Sequence, residues 1–348
     1  MDSSDSYNFG MQVSTGRNVF SWRPKVSVII PAYNVAPYIS ETLDSVAAQK
    51  FRDFEVIVVN DGSPDTVALE RAIRPHRENI IYIKQANLGA GVARNTGIKH
   101  ARGEVIAFLD GDDIWLPEFL ASQVAFLGRG YDMVYCDAQQ FGIRSVLRRT
   151  FMESAPSSGE VTAASLLDLK CNVITSGTVA TKSAIMGAGG FENFRTASED
   201  FHLWVRMAKI GARIGYQEKV LLKYRVHLES LSGDSINRVQ RGIDVFRRLR
   251  DSVGLSAEET EILDRRLASF EADLYVERGK SFLIKEEFRD AYESFSQANR
   301  YRRSLKLSLV SLAARFFPRL LLQHFRSHRA DDLDLVSRAS ERRAVSSG

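Results

Sequence analysis

Val105-Ile106-Ala107-Phe108-Leu109-Asp110-Gly111-Asp112-Asp113 joins five apolar residues to a small, acidic tetrad. The apolar half has the length of a buried strand, so the acidic half is expected at that strand's carboxyl end. Upstream, Val26 to Ile30 is stopped by Pro31, Phe54 to Val59 leads into Asn60-Asp61-Gly62-Ser63, and Ile80 to Ile83 leads into Asn87-Leu88-Gly89. Helix-like segments separate these runs at Leu43 to Ala48, after Ser63-Pro64, and at Gly91 to His100, with Ser63 as cap and Pro64 as first helical residue. Strands alternating with helices predict an α/β domain with a mainly parallel sheet. Open sheets of that kind bind ligands outside the carboxyl ends of their strands.

Carboxylates gathered at such a place repel one another. At ~5 Å and an effective dielectric of ~20, each pair among Asp110, Asp112 and Asp113 costs roughly 3 kcal/mol. Solvent, a raised pKa or a hard divalent cation such as Mn²⁺ or Mg²⁺ relieves this. The other reading is a solvated turn, with Asp112 or Asp113 near the N-cap of a helix starting around Trp115-Leu116-Pro117. A third acidic pair, Glu199-Asp200, precedes an amphipathic stretch from Phe201 to Ile210.

The chain has 348 residues, 44% of them hydrophobic, enough for one large or two ordinary domains. A net charge of +4 gives no case for nucleic acid as a partner. Cys136 and Cys171 lack metal-like spacing and read as buried free thiols. Residues 1–22 read as a flexible leader without a signal-peptide pattern, and no run of 18 apolar residues follows, so a cytoplasmic setting is expected. Between Met133 and Arg149 two closely spaced strand-like runs suggest that the sheet becomes mixed. The first domain is expected to span residues 23–232, with a boundary around Ser230 to Ser235.

Six motifs, in order, carry a resemblance: Val-Ser-Val-Ile-Ile-Pro-Ala-Tyr-Asn (26 to 34), Val-Val-Asn-Asp-Gly-Ser (58 to 63), Asn87-Leu88-Gly89 with Ala93-Arg94-Asn95-Thr96-Gly97, Phe108-Leu109-Asp110-Gly111-Asp112-Asp113, Gly189-Gly190-Phe191 and Ser198-Glu199-Asp200. The set, covering residues 26 to 228, resembles glycosyltransferase family 2, inverting enzymes of GT-A fold that use nucleotide sugars. The resemblance implies donor contacts from Pro31, Tyr33, Asn34, Asp61, Gly62, Arg94, Asp110 and Asp112. Asp61 would read the base, since an ionised carboxylate suits the N3–H of uracil. It also implies a divalent metal, Mn²⁺ or Mg²⁺, at Asp112 or Asp113 with His227 as a further ligand, sugar contacts from Asp110 or Asp112, and Asp200 as general base. Glu199 and Trp204 are candidates for the acceptor side. A glycan or lipid-linked acceptor in cell-surface polysaccharide synthesis fits this reading. Gly89-Ala90-Gly91-Val92-Ala93-Arg94 is a partial dinucleotide fingerprint, which keeps a nucleotide-dependent oxidoreductase as a rival. A non-catalytic scaffold is the other.

Beyond residue 232 the pattern turns helical: Ile236 to Asp251, Ala257 to Lys285 and Phe288 to Tyr301. Tyr275, Gly279, Phe282, Phe288, Ala291, Phe295 and Ala298 follow the spacing of one tetratricopeptide repeat, with Arg303 where proline is usual. A lone repeat calls for cover from the transferase domain, a second copy or a protein partner. Residues 305–326 form a basic amphipathic segment suited either to a membrane face or to docking on that hairpin. The module is expected to end at 328, and residues 329–348 read as a disordered tail.

Overall fold

A computed structural model describes residues 11–16, 23–142, 149–193, 198–227 and 235–326. Most of the leader, most of the second strand-like run before Arg149, most of the expected domain boundary and the tail lie outside these residues. The chain divides into two compact units, the first reaching Phe141 and resuming to Arg225, the second beginning at Val226.

Among the described residues of the first unit, nine strands form one sheet: β1 (Gln12–Thr15), β2 (Val26–Ala32), β3 (Phe54–Asp61), β4 (Ile80–Gln85), β5 (Val105–Phe108), β6 (Ile114–Trp115), β7 (Met133–Phe141), β8 (Thr178–Thr181) and β9 (Ile214–Arg225). Their order across the sheet is β1-β4-β3-β2-β5-β8-β7-β9-β6. β4, β3, β2 and β5 are parallel, with Val28 opposite both Val56 and Ala107. Val28, Ile29 and Ile30 are fully buried, as expected of a parallel strand covered on both faces. From β5 onward the sheet is mixed: β8 runs antiparallel to β5 and β7, β7 parallel to β9, and β6 antiparallel to β9.

The chain leaves β2 for β3 and β4 on one side, then returns to place β5 on the other. The carboxyl ends of β2 and β5 therefore flank a topological switch point, where α/β sheets bind ligands. Among the described residues, eight helices accompany the sheet: α1 (Ile39–Ala47), α2 (Thr66–Ala72), α3 (Ala90–His100), α4 (Phe119–Leu127), α5 (Phe151–Ser154), α6 (Ala163–Leu167), α7 (Lys182–Gly187) and α8 (Glu199–Lys209).

Three local expectations change. Gln12–Thr15, read within a flexible leader, pairs antiparallel with β4 from Gln12 opposite Lys84 to Thr15 opposite Ile81; its β-branched and polar mix suits an edge strand. α2 begins at Thr66 instead of Pro64, because Asp65 turns its carboxylate to the Ala36 N–H (2.9 Å) and the Ser63 hydroxyl. Asp112 and Asp113 cap no helix: Ile114 and Trp115 pair with Lys223 and Leu222 of β9, and α4 starts only at Phe119.

The second unit holds helices Ser235–Ser252, Ala257–Ile284, Phe288–Arg302 and Leu305–Phe316, and residues 318–326 are also helical. Ser256 and Glu259 make a capping box. The repeat-like residues Ala291, Phe295 and Ala298 are buried, and Tyr275 stacks on Tyr301 at 5.9 Å. Leu283, Ala291 and Phe295 share a cluster with Ala314 and Leu322, so the segment after the hairpin covers its core.

α3 crosses β2 closely enough that a Cβ on Gly97 would sit 2.5 Å from Ile29 Cγ2. Overpacking of that kind costs about 1–3 kcal/mol, against a helix-propensity gain of about 1 kcal/mol for alanine over glycine. Gly97→Ala should therefore lower stability in urea denaturation, and an unchanged or raised midpoint would show that the contact yields.

Candidate active site

β3, β2 and β5 end side by side, and their last residues build the site. Asp61 closes β3 and is 2% exposed. Its Oδ1 accepts from Gln85 Nε2 (2.7 Å) and the Leu88 N–H (3.0 Å), its Oδ2 from the Gly89 N–H (2.8 Å). The carboxylate thus sits against the N-terminus of α3, favourable for an anion, and one of its roughly four acceptor positions remains for a ligand. Gly62 follows in the left-handed region (φ 61°), and a Cβ there would lie 2.5 Å from the Asn87 backbone N. Only glycine allows the turn to approach that loop so closely.

Pro31, near the end of β2, pairs with Val59. Tyr33, just past that strand, is half exposed. Asn34 has φ 56° and donates its backbone N–H to Ser63 Oγ (2.7 Å), so the turns after β2 and β3 are tied together.

Arg94 lies one turn into α3 and is 5% exposed. Its Nη2 donates to Asp110 Oδ1 (2.7 Å) and its Nη1 to Glu199 Oε1 (2.8 Å), while its guanidinium lies 5.5 Å from the Phe191 ring centroid. Burial opposes the charge, but Asp110 and Glu199 overcome that and hold Arg94 protonated. The next residue, Asn95, donates to the Phe191 carbonyl (2.6 Å) and accepts from the Phe191 N–H (2.9 Å). Four of the sequence motifs meet here.

The acidic loop is anchored from beneath. The Asp110 N–H donates to Ser176 Oγ (3.1 Å), and Trp115 Nε1 to the Ser176 carbonyl (2.7 Å). Arg225, at the end of β9, donates its N–H to Asp113 Oδ1 (2.8 Å), its Nε to the Asp112 carbonyl (2.8 Å) and its Nη2 to Glu41 Oε2 (2.6 Å). It lies 4.7 Å from the ring centroid of Tyr38 and 4.4 Å from that of Phe141. Asp113 is 1% exposed, and its Oδ2 is buried without a hydrogen-bond partner. Burial, then Asp112 and Asp110, push its carboxyl well above the usual range. Among the described residues no three His, Cys, Asp or Glu side chains are placed to hold a metal by themselves. A cation beside Asp112 and Asp113 would therefore take its remaining ligands from a substrate, as Mg²⁺-type sites do.

Asp200 opens α8 and is half-buried. Thr175 Oγ1 donates to its Oδ2 (2.6 Å) and the Phe201 N–H to its Oδ1 (2.7 Å). Thr175 and Ser176 thus join the acidic loop to the start of α8. Two acceptor-side expectations are corrected. Trp204 is 1% exposed and packs with Phe108 and Phe191 (ring centroids 6.2 and 6.0 Å apart), because its position on α8 faces the sheet. Glu199 turns inward to Arg94. His227 is half-buried two residues beyond β9 and falls in the second unit. Thr175 and Ser176 belong to no motif singled out from sequence; Arg225 lies two residues before His227, in Tyr224-Arg225-Val226-His227, without a role read for it there.

Burial is the first cause that raises the Glu199 carboxyl above its ordinary value of 4.5, Arg94 opposes it, and Asp200 adds to it. The folded chain then holds this proton more tightly than the unfolded chain. Stability should fall as pH rises from that ordinary value into the raised range. Glu199→Gln, which keeps an acceptor for Arg94, should flatten this part of the pH profile in chemical denaturation; an unaltered profile would mean that Glu199 is ionised throughout.

The model of "Glycosyl transferase family 2" matches residues 27–182. The Escherichia coli UDP-Glc:alpha-D-GlcNAc-diphosphoundecaprenol beta-1,3-glucosyltransferase WfaP is 30% identical over 237 residues, 67% of this chain and 88% of that protein. Among solved structures, Staphylococcus aureus TarS 1-349 in complex with UDP-GlcNAc is 22% identical with a TM-score of 0.56, covering 87% of this chain and 92% of that one. The Pyrobaculum calidifontis mannosyltransferase PcManGT, in complex with GDP-Man and Mn²⁺, is 21% identical with a TM-score of 0.58, covering 91% of this chain and 87% of that one. The two structures bear on the GT-A fold alone. Together with the family match, the relative of known length and coverage sets aside the oxidoreductase reading: the chain belongs to glycosyltransferase family 2.

Proposed function

We propose that the chain transfers a sugar from a UDP-sugar to an acceptor hydroxyl with inversion, in the assembly of a cell-surface glycan. The observation that carries this is the chain of contacts from Asp61 through α3 and Arg94 to Asp110 and Glu199, which joins three acidic signatures at one end of one sheet. UDP is the donor nucleotide that WfaP's name and the TarS complex carry, and Asp61 retains acceptor capacity for a uracil N3–H. WfaP's acceptor is a lipid diphosphate sugar, which supports a lipid-linked or polymeric glycan here. Both cysteines are buried and free of disulfides, in keeping with a cytoplasmic setting.

In the reaction, Asp200 accepts the proton of the acceptor hydroxyl while that oxygen attacks the anomeric carbon. The bond from that carbon to the diphosphate breaks on the opposite face, and the nucleotide leaves with the bonding pair. One base and no covalent intermediate suffice. Thr175 fixes the orientation of the Asp200 carboxylate. Tyr33, Asn34, Pro31 and Gly62 shape the nucleotide side, and Asp110 positions the sugar side. A divalent cation, Mn²⁺ or Mg²⁺, supplies charge neutralisation for the departing diphosphate when bound. Asp112 and Asp113 would hold it; the orphaned Asp113 Oδ2 and the excess negative charge of the loop fit that group.

Asp200→Asn should reduce transfer by about 100- to 10,000-fold, the usual contribution of a general base, and leave calorimetric UDP binding in Mn²⁺ intact. Lost UDP binding with retained turnover would remove Asp200 from the role. No turnover by the native chain over a panel of nucleotide sugars would favour a scaffold.

A further inference from the structure

Helix Leu305–Phe316 turns most of its bulky apolar side chains outward. Ser311 and Ala314 face the hairpin and are buried, whereas Leu305, Leu309, Leu312 and Phe316 are 51–86% exposed. Their spacing of four, three and four places them on one stripe. Past the break at Phe317, that residue and Leu320 continue the apolar surface, 66% and 69% exposed. The segment 305–326 does dock on the repeat-like hairpin, but through Val310, Ala314, Leu321, Leu322 and Phe325, so that the stripe itself is left pointing outward. A contiguous apolar face of this size marks an interaction site.

Its rim identifies the occupant. Arg303, Lys306, Arg315 and Arg319 are exposed beside the stripe, and Arg300 to Arg329 contains eight Lys or Arg and no Asp or Glu. A second copy docking face to face would set two such basic rims against each other. An anionic lipid surface instead takes the apolar stripe into its acyl boundary and neutralises the rim. Among the described residues no helix is long and apolar enough to cross a membrane, so the segment would lie in the interface. We propose that residues 305–320 form a membrane-docking surface for anionic lipid. This stands apart from the donor-site reading, because it uses none of the first unit's residues.

Sedimentation of the full chain with phosphatidylcholine vesicles, with and without phosphatidylglycerol, tests it. Binding is expected only with phosphatidylglycerol and should weaken as salt is raised. Lys306→Gln with Arg319→Gln should weaken it on the order of 30-fold, from about 1 kcal/mol per basic residue. Leu309→Ser with Leu312→Ser should abolish it, with circular dichroism and melting unchanged because both sites are exposed. Equal binding to both vesicle types, or full binding by the serine variant, overturns the proposal. So does a stable dimer by light scattering that the serine variant dissociates, since a second copy would then cover the stripe.

Discussion

One buried cation organises the first unit. Arg94 sits where α3 passes beneath the ends of β5 and α8, and each arm of its guanidinium takes a carboxylate from a different segment. Removing one partner of such a buried group typically costs about 3–5 kcal/mol, because the others are left uncompensated. Lysine is not equivalent: its donors all leave one nitrogen, whereas the planar guanidinium reaches the two carboxylates from two different nitrogens. Asp110 and Glu199, which lies next to Asp200, are therefore held in a fixed relation by one side chain.

A second clamp works on the other flank. Arg225 holds the Asp112–Asp113 turn by its backbone and side chain, and lies against Tyr38 and Phe141. The turn would otherwise open under its own negative charge. Burial, with Asp112 and Asp110 beside it, drives the Asp113 carboxyl toward protonation. Between the clamps, Thr175 and Ser176 link the turn to Asp200. These contacts come from β5, β9, α8 and the segment before β8, a distribution that only the mixed half of the sheet permits.

Much of this was legible in the sequence. The apolar runs ending at Pro31, Asn60 and Asp110 gave the parallel strands and their ligand-facing ends, since buried parallel strands leave an unambiguous hydrophobic signal. The helices after Ser256 and Phe288 were equally plain. Arg225, Thr175 and Ser176 were not, because their roles depend on pairings of β9 and on a short turn that no local periodicity records. Trp204 was ambiguous for a related reason: an aromatic on an amphipathic helix fits a core and a binding face alike until the packing partners, here Phe108 and Phe191, are known. The edge strand Gln12–Thr15 was too short and polar to announce itself.

The central claim is that the two-armed hold of Arg94 on Asp110 and Glu199 shapes the donor site. Calorimetric titration of Arg94→Lys with UDP in Mn²⁺ tests it most directly, since the charge is kept and only the bridge is lost. The account predicts UDP affinity lower by about tenfold or more, as positional errors at such sites cost, in a chain that still melts cooperatively. UDP affinity equal to that of the native chain would contradict it.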